Sequence, residues 1–172
     1  SGEYKLMGLA PYGHRGSAKV NIYKEIILKE LIELFDDGSF LFHMEYFDFA
    51  TGTRMCKDRA WEKLFGIPRR SKDAEITQIH MDLALAIQEV TEEIVLRLAK
   101  TAKKLTGADY LVMAGGVALN CVANARVLES GMFKDIWIQP AAGDAGGALG
   151  AALAGYYIWS GKQRMIASDG SD

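Results

Sequence analysis

The residue types best suited to chemistry lie in two glycine turns in the last third of the chain. Gly115 and Gly116 follow an apolar run at 110–114, and Gly143 and Asp144 follow a second, shorter apolar run. A glycine pair between a strand and a helix exposes backbone N–H groups near the positive end of the helix dipole, where a phosphate or a nucleotide can approach. The spacing matches neither GxxxxGK(S/T) nor GxGxxG. These residues therefore leave a nucleotide site and a ligand-free tight turn equally open.

Asp144 is the only carboxylate between Asp135 and the C-terminal residues. It can cap the following helix by accepting a hydrogen bond from an amide two or three residues on. It can also serve as a hard oxygen ligand for a divalent metal that accompanies a phosphate. The three histidines, His14, His43 and His80, have no HxxxH or HExxH spacing. This chain by itself is therefore not expected to supply a histidine metal pair.

Asn120 and Asn124 follow the first glycine turn and are four residues apart, on one face of a predicted helix. Asparagine is a poor helix former, so the pair indicates either polar recognition or helix capping. Cys121 lies beside them, and without a visible histidine partner it is interpreted as a small buried filler rather than a nucleophile.

The elements that position these residues are two strand–turn–helix units preceded by a long helix. Strands at 110–114 and 136–138 are each followed by a glycine turn and a helix, at 117–128 and 148–159. Loops at the carboxyl ends of such strands are where ligands bind in α/β proteins. Apolar residues at helical spacing over 76–105 predict a helix on the order of 45 Å long, with an acidic first turn at Asp73–Glu75 and a C-cap at Gly107. The sequence therefore predicts an α/β fold.

The first third has a weaker pattern. It predicts a helix from Asn21 to about Phe35, an aromatic strand or hairpin over 40–49, and a short helix over Asp58–Phe65. Glu3 and Lys5, taken alone, fit an exposed charge pair near a chain terminus.

Composition excludes several classes of protein. The 172 residues are 49% hydrophobic and have a net charge of −2, which gives no sign of nucleic-acid binding. Two cysteines exclude a disulfide scaffold and a four-cysteine zinc site. The longest apolar run is too short to cross a bilayer, so we expect no membrane association and a cytoplasmic location.

Three motifs then resemble one family. The strings at 2–13 (GEYKLMGLAPYG), 114–121 (AGGVALNC) and 139–148 (QPAAGDAGGA) resemble the O-carbamoyltransferase family of NodU/CmcH type. The resemblance implies the second ribonuclease-H-like half of an actin-like (ASKHA) domain, with a mixed sheet, packed helices and one long helix. The expected divisions are a marker segment at 1–20, a helical and hairpin portion at 21–72, the long helix with the two strand–turn–helix units at 73–161, and a tail at 162–172.

The resemblance also implies a reaction. Enzymes of this family form carbamoyl-adenylate from carbamoyl phosphate and ATP, and pass the carbamoyl group to a hydroxyl of a small molecule or sugar. The expected cofactors are ATP and a divalent metal, iron-like or magnesium. By resemblance, Gly115, Gly116, Asn120, Gly143 and Glu3 bind the nucleotide, Asp144 binds the metal, and Asp144 and Lys5 take part in catalysis.

Two family features have no counterpart in these residues: the metal-binding histidines of the first half, and the domain that handles carbamoyl phosphate. We therefore expect a fragment that is inactive alone and works with the remaining parts of its own full-length chain. Two alternatives stay open, a relative of the tRNA threonylcarbamoyl-transfer enzymes and a non-catalytic nucleotide-binding half-domain. The motifs do not identify the acceptor.

Overall fold

The chain folds around one long helix. The computed structural model describes residues 3–164; residues 1–2 and 165–172, from the ends of the predicted marker segment and tail, lie outside them. In chain order the helices and strands are α1 (Glu3–Leu9), α2 (Ala18–Ile26), β1 (Ile32–Leu34), β2 (Phe40–Phe42), α3 (Asp58–Phe65), α4 (Gln78–Thr106), β3 (Tyr110–Met113), α5 (Cys121–Glu129), β4 (Asp135–Ile138) and α6 (Ala145–Ala154). This is the α/β composition that the sequence predicts.

Helix α4 starts later than the sequence suggests. Its first residue is Gln78, and the Thr77 N–H donates to Nδ1 of His80 at 3.1 Å to cap it. The acidic segment 73–75, predicted as the first turn, lies before the helix. The Arg70 guanidinium donates to the backbone carbonyls of Lys72 and Ala74, and these hydrogen bonds stabilise the loop. The helix ends as predicted, at Gly107 with φ of 66°.

Two separate cores lie along α4. The first joins its N-terminal half to α2, and the second joins its C-terminal half to α5. Residues that α4 contributes to the first core include Leu85 and Val90, and those for the second are Val95 and Ala99. Because α4 is covered from more than one side, its buried residues include polar ones outside the predicted apolar stripe.

The strands form two small sheets among the described residues, and not the single mixed sheet that was expected. Strands β1 and β2 pair antiparallel, and β3 and β4 pair parallel with Tyr110 opposite Asp135. Each pair packs on a different core: Ile32 belongs to the first, and Leu111 packs on the second. The two sheets are separate because each follows its own core along α4.

The sheet of β3 and β4 is covered on one face by the described residues. Leu111, Met113 and Ile136 pack on the second core. Val112 and Trp137 on the other face remain 68% and 52% exposed. Strand 110–114 was expected to be buried, but among the described residues Leu111 and Met113 are only half-buried and the others are exposed. The residue-by-residue alternation of a strand accounts for this result.

Three more predicted helices have different bounds. The helix expected over 117–128 covers Cys121–Glu129 and follows a 3₁₀ turn at Gly116–Leu119. The helix expected over 21–35 ends in a π-helical turn at Ile27–Leu31, because Ile32–Leu34 pair with β2. The last helix begins at Ala145, three residues earlier than expected, and passes into a π-helical turn at Gly155–Trp159. No helix within residues 3–164 combines the length and apolar character needed to span a membrane.

The segment after α1 approaches α4 closely at Gly13, which gives a stability prediction. A Cβ at Gly13 would lie 2.6 Å from Cβ of Leu85 and 2.8 Å from the Met81 carbonyl oxygen. We expect Gly13→Ala to lower the free energy of unfolding by about 1–3 kcal/mol, measured by urea unfolding. Gly8→Ala is the matched control, since a Cβ there meets nothing within 4 Å, and inside α1 it should stabilise by about 0.5–1 kcal/mol. Equal effects of the two substitutions would contradict the close approach.

Candidate functional site

The two glycine turns lie against each other. The Gly115 N–H donates to the Ala142 carbonyl at 2.7 Å. A Cβ at Gly143 would lie 3.8 Å from Cδ1 of Leu119. The parallel pairing of β3 and β4 places both turns at the carboxyl edge of the sheet. The structure therefore brings together Gly115, Gly116 and Gly143.

Glycine is required by backbone geometry at Gly115 and leaves open space around the turn. Its φ of 98° and ψ of 163° lie in a region that side-chain-bearing residues rarely adopt. A Cβ on Gly115 or Gly116 would meet no atom of residues 3–164 within 4 Å. The turn thus has room for a group to approach its backbone.

Asn120 caps α5 and is also held by α4. Its Oδ1 accepts from the Ala123 N–H at 3.1 Å. Its amide also exchanges two hydrogen bonds with Gln88: Gln88 Nε2 donates to Oδ1 at 3.1 Å, and Nδ2 donates to Gln88 Oε1 at 3.0 Å. The capping interpretation is confirmed, and Asn120 is at the same time fixed to the long helix.

Asn124 and Cys121 are placed differently from the expectation. Asn124 is buried, and its Nδ2 donates to the Ala118 carbonyl at 2.7 Å, so it supports the turn and does not share a binding face with Asn120. Its Oδ1 is buried without a hydrogen-bond partner in the described part of the chain. Cys121 is exposed, so its interpretation as a buried filler is wrong. The buried side of α5 runs through Ala123, Asn124 and Val127 instead.

Behind Asn120 lies a buried carboxylate that the sequence analysis did not single out. Glu92 is 1% exposed. Its Oε1 accepts from Gln88 Nε2 at 3.0 Å and its Oε2 accepts from Arg126 Nη1 at 2.7 Å. The sequence pattern that could have indicated it is Gln88 and Glu92, one helical turn apart and beside apolar residues. That pattern is common on exposed helix faces, so it points to nothing specific without the partner element.

Asp144 is exposed at the start of α6, and its side chain makes no capping hydrogen bond. Of the two interpretations from sequence, the cap is therefore not found. Residues 3–164 contain no group of three or more His, Cys, Asp or Glu side chains that could hold a metal ion. Within these residues Asp144 is therefore not part of such a group.

Lys5 lies apart from the glycine turns. It lines a groove between α1 and α4 of about 610 Å³, together with Leu6, Leu83 and Ile87. The lining contains none of the predicted glycine, asparagine or aspartate residues. Glu3 begins α1, and its side chain lies outside the described residues. The structure therefore joins four of the predicted nucleotide residues and leaves Lys5 in a separate groove.

The segment after α1 is fixed to α4 by a second buried carboxylate. One oxygen of Asp82, which is 4% exposed, accepts from the His14 N–H and from Gln78 Nε2, each at 2.9 Å. Gln78 also donates to the Tyr12 carbonyl at 3.0 Å. Burial raises the pKa of Asp82, but the His14 and Gln78 hydrogen bonds, together with the electrostatic effect of His14 and Lys19, keep the pKa below its ordinary value of 3.8. The carboxylate is thus stabilised in its charged form.

Comparison with known protein families matches residues 1–153 to the family described as carbamoyltransferase N-terminus. The chain belongs to this family. The family resemblance of the three motifs is thereby confirmed.

Several relatives agree with the family match. An uncharacterized protein of Synechocystis, sll1178, is 52% identical over 96% of this chain and 26% of its own length. Nodulation protein NolO of Bradyrhizobium diazoefficiens is 41% identical over 88% of the chain and 24% of its own length. Nodulation protein NolNO of Sinorhizobium fredii is 41% identical over 88% of the chain and 20% of its own length. This carbamoyltransferase-family chain thus spans about a quarter of the length of these relatives.

The charge of Asp82 predicts a pH-dependent stability. Because its pKa is lowered in the folded state, ionised Asp82 stabilises the fold at neutral pH, and that contribution is lost as the pH falls through the folded pKa. Asp82→Asn keeps the oxygen that accepts both hydrogen bonds but removes the charge. We expect it to lower the free energy of unfolding by about 1 kcal/mol at pH 7. The difference in the free energy of unfolding between the wild type and Asp82→Asn, measured with urea, should become smaller below pH 3.8. A difference that becomes larger in acid would show that the charge of Asp82 is not its cause.

The contact between the glycine turns gives a second prediction. A Cβ at Gly146 would lie 2.5 Å from the Ala141 carbonyl oxygen, whereas one at Gly147 would meet nothing within 4 Å. Gly146→Ala should displace the 139–144 turn and weaken the bond from the Gly115 N–H to Ala142. We expect the Gly115 amide hydrogen to exchange about tenfold faster by NMR. Gly147→Ala should leave the exchange rate of the Gly115 amide hydrogen unchanged. Similar exchange rates in the two variants would contradict the proposed effect of Gly146 on the bond between Gly115 and Ala142.

Proposed function

We propose that this chain is part of an ATP-dependent O-carbamoyltransferase. In such an enzyme water cleaves carbamoyl phosphate to carbamate and phosphate. A carbamate oxygen then attacks the α-phosphate of ATP, which forms carbamoyl-adenylate and releases pyrophosphate, and the carbamoyl group is transferred to a hydroxyl of a small molecule or sugar. The family membership supports the group that is transferred. The observation that supports the nucleotide is the meeting of the two glycine turns at the carboxyl edge of the parallel strands, with open space around Gly115 and Gly116.

The proposed chemistry places modest demands on these residues. Carbamoyl-adenylate is a mixed anhydride, so its carbonyl carbon is already activated. The acceptor hydroxyl oxygen attacks that carbon, the bond from the carbon to the phosphate oxygen breaks, AMP leaves, and the hydroxyl proton is released. No enzyme nucleophile is needed, and the protein contributes mainly by positioning the partners and stabilising charge.

We assign proposed roles to the residues accordingly. Backbone N–H groups of Gly116 and Gly143 approach the phosphates. Gly115, whose N–H is bonded to Ala142, lets the nucleotide come close because it has no side chain, and Asn120 donates from the same edge. We propose Asp144 as one ligand of a divalent metal, iron-like or magnesium, completed by residues beyond those described. Glu3 and Lys5 remain candidates for contacts with the nucleotide or carbamoyl group; their segment is anchored to α4 through Asp82.

The proposal includes the rest of a longer chain. Parallel strands are normally covered on both faces, and here the described residues cover one face of β3 and β4. The chain also spans 26% of the sll1178 relative. We therefore propose that further parts of its own polypeptide complete the ribonuclease-H-like half-domain and the active site. The partners are carbamoyl phosphate and a hydroxylated acceptor in the cytoplasm, without nucleic acid or membrane.

Replacement of Asp144 tests the proposal. In the full-length polypeptide, with labelled carbamoyl phosphate, ATP and a panel of hydroxylated small molecules and sugars, we expect Asp144→Ala to reduce carbamoyl transfer by about a hundredfold or more and to lower the bound metal content. Glu129→Ala, which removes another exposed carboxylate at the end of α5, should leave both unchanged.

Three results would contradict parts of this proposal. Absence of ATP binding by the wild-type full-length polypeptide in calorimetry would exclude the ATP-dependent reaction. Label transferred to tRNA and not to small acceptors would place the protein with the threonylcarbamoyl-transfer enzymes. Unchanged turnover and metal content in Asp144→Ala would remove Asp144 from the site.

A further inference from the structure

A continuous hydrogen-bonded path connects Arg126, Glu92, Gln88 and Asn120. It runs from the surface of α5, along buried side chains of α4, to the glycine turn. Its three links have donor–acceptor distances of 2.7 Å from Arg126 to Glu92, 3.0 Å from Gln88 to Glu92, and 3.1 and 3.0 Å between the Gln88 and Asn120 amides. We infer that Glu92 and Gln88 are positioning residues: they fix the side-chain amide of Asn120 so that its N–H group faces the nucleotide. This inference rests on the proposed nucleotide site.

The orientation follows from the chemistry of the groups. An ionised carboxylate accepts hydrogen bonds and donates none. Glu92 therefore requires that Gln88 turn its Nε2 toward it, which directs Gln88 Oε1 toward Asn120. Only Nδ2 of Asn120 can donate to that oxygen. The buried carboxylate thus sets the direction of the Gln88 amide and, through it, favours one direction of the Asn120 amide.

The backbone reinforces the same orientation. Oδ1 of Asn120 accepts from both Gln88 Nε2 and the Ala123 N–H, so turning the amide would place donors against donors. Nδ2 has two hydrogens, and one of them is used by Gln88. Asn120 therefore offers the turn a hydrogen-bond donor. A donor at this position fits an oxygen acceptor, such as a phosphate or ribose oxygen of a nucleotide.

Arg126 explains how a carboxylate can be held in this place. Glu92 is 1% exposed, and a buried charge requires a partner of opposite charge and satisfied hydrogen bonds. The Arg126 side chain is 48% exposed, so it provides that charge while keeping part of its own hydration. Both Glu92 oxygens are occupied by donors. The hydrogen bonds of Glu92 in the described part of the chain thus go to Gln88 and Arg126, and it can act on Asn120 through Gln88.

The test replaces Glu92 by its neutral isostere. In Glu92→Gln one of the two donors, from Gln88 or Arg126, faces an NH₂ group, and the amide of Gln88 is no longer held in one direction. We expect ATP with Mg²⁺ to bind the full-length polypeptide about tenfold more weakly by calorimetry, the effect of losing one oriented hydrogen bond. Glu93→Gln is the matched control, because Glu93 is on the same helix but pairs with Arg97, and its affinity should be unchanged.

A double-mutant cycle separates positioning from a general structural effect. Asn120→Ser retains a helix-capping oxygen and removes the amide. If Glu92 acts through Asn120, Glu92→Gln should weaken ATP binding about tenfold in the wild type and less than about twofold in the Asn120→Ser background. The same tenfold loss in both backgrounds, or no loss in either, would overturn the inference.

Two further measurements keep the outcome unambiguous. Gln88→Met removes the hydrogen bonds to Asn120 and leaves the pair of Glu92 and Arg126 in place. It should therefore weaken ATP binding about tenfold, and it can be measured even if Glu92→Gln unfolds. An unchanged affinity for ATP in Gln88→Met would overturn the inference. If the wild type binds no ATP, or Asn120→Ser binds ATP normally, the proposed nucleotide role of Asn120 fails first. If Asn120→Ser weakens ATP binding while Gln88→Met and Glu92→Gln leave it unchanged, only the positioning role of Gln88 and Glu92 is overturned.

Discussion

The burial of two carboxylates on α4 is the constraint on which the other features depend. Asp82 and Glu92 are 4% and 1% exposed, and a charge in such a place is tolerated only when its hydrogen bonds are satisfied. Asp82 accepts from the His14 N–H in the segment after α1 and from Gln78 on α4. Glu92 accepts from Gln88 on α4 and from Arg126 on α5. The two carboxylates are ten positions, or about 15 Å, apart on one rigid helix. Helix α4 thereby sets the spacing between the N-terminal motif and the glycine turns.

Apolar packing and polar anchoring follow the same division along α4. Leu85 and Val90 join the core under the N-terminal motif, while Val95 and Ala99 join the core under the glycine turns. The packing provides most of the stability because it removes apolar surface from water. It has little directional preference, however, and a helix could rotate or slide by part of a turn on it. The hydrogen bonds to the two carboxylates fix the rotation and the position of α4, which apolar packing alone does not.

The sequence predicted the type and order of most elements because their signals are local. Apolar spacing, the αL glycine at Gly107 and the two glycine turns each depend on neighbouring residues only. The errors arose where hydrogen bonds or packing that the apolar spacing does not reveal decide the structure. Hydrogen bonds from Arg70 stabilise the loop at 73–75 before α4, pairing with β2 turns Ile32–Leu34 into a strand, and Cys121 is exposed because α5 buries a different side.

For the candidate site, the sequence by itself determined the family, the glycine turns and the residues with suitable chemistry, because these are written as contiguous motifs. Only the tertiary structure decided which of them meet. It joined Gly115 to the 139–144 turn, separated Lys5 into another groove, and revealed Gln88 and Glu92 behind Asn120. Those two residues lie about thirty positions from Asn120 and have ordinary helix-forming side chains. Their significance comes from a contact between two elements, and such a contact has no signal in either segment alone.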